Sequence, residues 1–188
     1  YGMVQFTPSY FSKRSGFVIN QLSGGGCEHM GNFPTFPVKG KLKMSPDNIL
    51  NYRINISEEK GHAGYYEAMV QEDIKAKLTV TERTGMASYE YPADQQYGTI
   101  IIGGGISATP IEQAAIVITA PNKCEGYAEG GNFCGLRTPY KVYFVAEFDT
   151  DALETGTWKR EELMPNTTFA EGEYSGVYFT FDVNKKKN

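Results

Sequence analysis

Ile74-Lys75-Ala76-Lys77-Leu78-Thr79-Val80-Thr81 sets Ile, Ala, Leu and Val at every second position, with Lys, Lys, Thr and Thr between them. Side chains alternate faces along a β-strand, so this stretch predicts a strand with one dry face and one wet face. The same period of two returns downstream. Val142, Phe144, Ala146 and Phe148 share one face, with Tyr143, Val145 and Glu147 on the other. Val177, Phe179, Phe181 and Val183 alternate with Tyr178, Thr180 and Asp182. Weaker strand candidates cover 16–22, 36–43, 50–56, 65–71, 84–91, 97–102 and 115–120. Turn signals punctuate them: Ser45-Pro46-Asp47-Asn48, Lys60-Gly61-His62-Ala63-Gly64, Thr84-Gly85, Tyr91-Pro92-Ala93-Asp94 and Pro121-Asn122. Strands recurring about every 8–14 residues read as an all-β, antiparallel two-sheet sandwich. Residues 105–115 and Lys159–Met164 are candidates for short helical turns, too short to pack as helices. With no linker and no internal repeat, residues 1–188 read as a single domain.

Composition agrees. The 13 Tyr, 11 Phe and 21 Gly suit aromatic-rich strands joined by tight turns. A chain of 188 residues buries enough surface to fold without staples. The net charge of −4 argues against a nucleic-acid partner, which calls for clustered cations. The run Lys185-Lys186-Lys187 reads as a solvated tail. No apolar stretch approaches the ~20 residues of a membrane-spanning helix. Tyr1 opens directly on the strand-like Met3-Val4-Gln5-Phe6, which suggests a trimmed fragment. An absent export signal therefore excludes nothing.

Self-sufficient catalytic constellations are missing from the sequence. Ile101-Ile102-Gly103-Gly104-Gly105-Ile106-Ser107-Ala108 formally fits a dinucleotide-binding loop, but no long helix follows, so it reads as a Gly-rich strand end. The two histidines, His29 and His62, have no metal-like partner. Cys27 and His29 stand two apart, without a third group to orient them. The carboxylate pairs Glu58-Glu59, Glu161-Glu162 and Asp149/Asp151 sit in polar surroundings and read as solvated charge. Cys124 and Cys134 flank Glu125-Gly126-Tyr127-Ala128-Glu129-Gly130-Gly131-Asn132-Phe133. They either pair across that segment or remain free thiols.

Gln21-Leu22-Ser23-Gly24-Gly25-Gly26-Cys27-Glu28-His29-Met30-Gly31-Asn32-Phe33-Pro34 is the most unusual segment. Three consecutive glycines cost backbone entropy and suit a place where the chain needs φ > 0, or where main chain must lie close to a ligand or another strand. Both readings remain open from the residues alone.

That segment and three others resemble the N-terminal domain of glycoside hydrolase family 92. Tyr1-Gly2-Met3-Val4-Gln5-Phe6-Thr7-Pro8 is similar to the family's opening. Gly16-Phe17 with Leu22-Ser23-Gly24-Gly25-Gly26-Cys27 resembles its Gly-Phe…Leu-Ser-Gly-x-Gly-Cys. Gly64-Tyr65-Tyr66 and Leu78-Thr79-Val80-Thr81-Glu82-Arg83-Thr84-Gly85 resemble its next two motifs. Tyr140–Phe148 and Gly176–Asp182 look like later strands of the same domain. The likeness is dense over 1–92 and patchy beyond. Where the family often has Ser-His-Thr-His before Leu-Ser-Gly, this chain has Val18-Ile19-Asn20-Gln21.

The resemblance implies a galactose-mutarotase-like sandwich belonging to an inverting, calcium-dependent exo-α-mannosidase of exported bacterial type. It implies that the catalytic carboxylates and most calcium contacts reside in a C-terminal (α/α)₆ barrel outside this chain, leaving the fragment inactive alone. Gly25, Gly26 and Cys27 are then expected to line the sugar pocket, with Glu28 or His29 meeting a hydroxyl of an α-mannoside glycan. A face freed of its barrel is expected to favour a dimer. The rival expectations are a carbohydrate-binding module using exposed aromatics such as Trp158 or Tyr65, and a purely structural buttress.

Overall fold

The computed structural model describes residues 4–8, 16–20, 30–47, 55–105, 107 and 109–184. These residues form an antiparallel all-β sandwich, as expected, but with three sheets where two were expected. The central sheet has seven strands: β1 (Thr7–Pro8), β2 (Phe17–Val18), β3 (Thr35–Lys39), β8 (Tyr97–Gly103), β15 (Ser175–Asp182), β12 (Glu154–Lys159) and β13 (Glu162–Pro165), in that order across the sheet. One outer sheet, here sheet B, is the meander β4 (Ile56–His62), β5 (Tyr65–Val70), β6 (Ile74–Val80) and β7 (Gly85–Glu90). The other, sheet C, orders as β11 (Leu136–Glu147), β10 (Lys123–Phe133), β9 (Ile111–Ala120) and β14 (Phe169–Glu171).

The central sheet is dry on both faces because its middle strands are apolar at successive positions. On β8, Ile101 joins a cluster with Val70, Ile74, Ala76, Leu78, Trp158 and Tyr178, under sheet B. Its neighbour Ile102 joins Ile116, Ile118, Ala128, Val177 and Phe179, under sheet C. Trp158 is fully buried, so it is no exposed sugar platform. Between β8 and β15, the Thr99 and Thr180 hydroxyls meet at 2.8 Å, and Thr99 also donates to the Gly40 carbonyl. Those bonds remove the cost of burying two hydroxyls.

Several turns follow the sequence reading. Ala63-Gly64 joins β4 to β5, with Gly64 at φ 81°. Gly103-Gly104-Gly105 does end a strand, and β9, not a helix, comes next. A side chain at Gly105 would overlap the Gly172 carbonyl, which explains the glycine. Among the described residues the helical turns expected over 105–115 and Lys159–Met164 are not formed: Ile111 onwards is strand, and Arg160-Glu161 link β12 to β13. Ile116-Val117-Ile118-Thr119 is β-branched throughout and favours the pleated conformation.

Candidate functional site

The expected site residues Gly25, Gly26, Cys27 and Glu28, with Ser23 and His29 beside them, lie outside the described residues, as does the lysine tail. The two stems of that segment are described, and they are clamped together. Asn32 is fully buried. Its backbone N–H donates to Asn20 Oδ1 at 2.8 Å, and Asn20 Nδ2 donates back to Asn32 Oδ1 at 3.1 Å. The backbone N–H can only donate, so it fixes which end of the Asn20 amide is oxygen, and Asn20 in turn fixes Asn32. Ile19 N–H donates to the Asn32 carbonyl as well, at 3.3 Å.

The stem also bridges two sheets. Tyr140 on β11 donates its hydroxyl to Asn32 Oδ1 at 3.2 Å. Phe33 packs on Phe144 of the same strand, with ring centroids 4.2 Å apart. Ser107 donates to the Met30 carbonyl at 2.7 Å. Met30, Gly31 and Phe33 all take positive φ, at 50°, 78° and 53°. Left-handed backbone at two residues with side chains costs energy, and packed surroundings must hold it. The buried clamp and the Phe33–Phe144 stack are those surroundings.

The cysteines correct an expectation. Cys134 is in a disulfide, whereas Cys124 is free and buried, so the two do not pair. The segment between them is strand β10, not a loop. Extended chain rises about 3.3 Å per residue, which separates its ends far beyond the roughly 7 Å between Cα atoms that a disulfide tolerates. Cys27, the remaining cysteine, lies outside the described residues. Burial pushes the Cys124 thiol up to about 12, so it stays protonated and unreactive at neutral pH.

Elsewhere the described residues offer little catalytic chemistry. Glu58, Glu59, Asp149, Asp151, Glu161 and Glu162 are all exposed, as read from their settings. Tyr65 stacks on His62, centroids 5.3 Å apart, and donates to Glu67 at 2.8 Å. Among the described residues no group of three His, Cys, Asp or Glu side chains is placed to hold a metal. No described helix is long and apolar enough to cross a membrane.

The architecture defines a class: a layered antiparallel sandwich whose chain is clamped at Asn20 and Asn32, with no catalytic cluster among its described residues. The glycosyl hydrolase family 92 N-terminal domain matches residues 1–188, and the chain belongs to that family. A family GH92 α-mannosidase from Bacteroides thetaiotaomicron is similar in structure, with 24% identity and a TM-score of 0.73, over 89% of this chain and 24% of that one. A family GH92 inverting mannosidase from the same organism superposes with a TM-score of 0.75 at 21% identity, over 98% of this chain and 26% of the other. A GH92-family glycosyl hydrolase gives a TM-score of 0.77 at 20% identity, over 96% of this chain and 27% of its own. The chain thus spans about a quarter of the length of these solved relatives. No curated protein matches it.

Proposed function

We propose that this chain is the pocket-contributing sandwich of an inverting exo-α-mannosidase that removes terminal α-linked mannose from glycoprotein glycans or mannans. The observation that carries the reading is the family match across residues 1–188. The buried Asn20–Asn32 clamp supports it, because it fixes both ends of the segment that holds Gly25, Gly26, Cys27 and Glu28. Glycines let backbone N–H groups approach sugar hydroxyls without side chains intervening. An inverting glycosidase must also leave room for a water opposite the leaving group, so a slim wall is an advantage.

On this reading the acid and base carboxylates and the calcium belong to the remainder of the enzyme. Export to the periplasm, cell surface or medium of a bacterium completes the proposal, and a face that a longer chain would cover favours self-association. The test is turnover of an aryl α-mannoside and of mannobiose by this chain and by the longer enzyme. Turnover only by the longer enzyme is expected. Hydrolysis by the chain alone would refute the division of labour.

A further inference from the structure

Sheet C ends on β11, a strand of 12 residues. Among the described residues nothing pairs with its outer edge. Unpaired N–H and C=O groups along such an edge are a template for another strand. Pro139 lacks an N–H and ends the usable stretch on one side, leaving residues 140–147. The outward row there reads Lys141, Tyr143, Val145, Glu147, and Tyr143 and Val145 are 69% and 62% exposed. The inward residues Val142, Phe144 and Ala146 are only half-buried, whereas Cys124 and Ala128 on β10 are fully buried. The layer beneath therefore covers this edge in part and leaves space beside it.

We propose that β11 pairs antiparallel with β11 of a second copy of this chain, about a two-fold axis through Phe144. Charge selects this register. It sets Lys141 against Glu147 of the partner subunit, Tyr143 against Val145 of the partner subunit, and Val142 against Ala146 of the partner subunit. Within one copy Lys141 already pairs with Glu129, and Lys123 lies 3.6 Å from Glu147. The contact completes a row of alternating sign: Glu129, Lys141, then Glu147 of the partner subunit and Lys123 of the partner subunit. Moving the axis to Tyr143 leaves Lys141 against Val145 of the partner subunit and forces Pro139 into the pairing. Moving it to Val145 sets Tyr143 against Glu147 of the partner subunit and carries Lys141 past the strand end. The arrangement is isologous, so the one contact closes a dimer. It rests on sheet C alone and is independent of the mannosidase reading.

Sedimentation velocity on the unaltered chain, on Lys141→Glu, on Glu147→Lys, and on an equimolar mixture of the two variants tests it. Each reversal alone sets like charges against each other in its own dimer and is expected to weaken association at least about tenfold. The mixture restores opposite signs at both ends of the contact and is expected to recover association to within about threefold of the unaltered chain. Each reversal also disturbs the ion pair inside its own chain. Mixing leaves that disturbance unchanged, so recovery reads only the contact between copies. Thermal melts confirm that both variants fold. The proposal is overturned by an unaltered chain that stays monomeric up to about 100 μM, by single reversals without effect, or by a mixture that associates no better than its components.

Discussion

Sheets B and C are both four-stranded antiparallel layers laid on opposite faces of one central sheet, yet their solvent faces differ in kind. Sheet B carries Tyr65, Glu67, Lys75, Lys77 and Glu90 there, with Lys75 3.1 Å from Glu67 and Lys77 paired with Glu90. Sheet C shows Ala115, Val117, Tyr127, Tyr143, Val145 and Phe169 around a shallow apolar groove. Glu125 stands among them, between Val117 and Val145, and Lys141 caps the Tyr127 ring at 4.0 Å. Water suits the first face. The second has the composition of a contact surface, since aromatic and aliphatic side chains crowd round one carboxylate there. The inner faces are alike, so the difference lies in what each sheet meets outside.

The largest effects are expected where the sheets should not differ. Trp158→Ala under sheet B and Phe179→Ala under sheet C should each cost about 3–5 kcal/mol in denaturant unfolding. If one of them cost almost nothing, the layers would not form a single cooperative unit. Gly126→Val should come next. A side chain there would overlap the Ala115 carbonyl and crowd Ile116 and Phe144, so sheet C should lose about 1–3 kcal/mol. A neutral outcome, measured the same way, would mean that β9 and β10 lie farther apart than described.

Smaller effects sharpen the contrast between the outer faces. Tyr143→Ser with Val145→Thr should change stability by about 0.5 kcal/mol or less each, while clearly reducing binding of a hydrophobic dye. Dye binding that tracks changes on sheet B instead would invert the comparison. The smallest effect is in pH. The hydrogen bond from Tyr65, and then that from Lys75, hold the Glu67 carboxyl below the usual carboxylate range. Glu67 therefore contributes stability that is present above its unfolded value and lost as pH falls through its lower folded value. A carboxyl-carbon NMR titration should find Glu67 ionising below the usual carboxylate range, and Glu67→Gln should flatten the acid side of the stability curve. A Glu67 titration above the ordinary range would remove sheet B's ion-pair lattice from the account.

Much of this was legible in the chain. The alternation at Ile74–Thr81 marks β6, and the apolar rows at 142–148 and 177–183 mark β11 and β15. Legibility fails where glycine serves the sheet interior. β10 was not among the expected strands, and its Gly126, Gly130 and Gly131 each stand where a side chain would strike a neighbouring segment. The number of layers was also hidden. Ile100-Ile101-Ile102 is apolar on both faces, which requires two coverings but does not say which strands supply them. At the site, the glycines of 24–26 singled out in the sequence the segment whose two stems the structure describes. The clamp did not announce itself, because Tyr140 meets Asn32 across 108 residues of chain, and no local pattern encodes such a contact.

The claim that backbone at Gly26 forms part of a mannose-binding wall is tested most directly by Gly26→Val in the complete enzyme, assayed on a terminal α-mannoside. The account predicts a fall in kcat/KM on the order of a hundredfold, with the melting temperature of the sandwich unchanged. Turnover equal to that of the unaltered enzyme would contradict it.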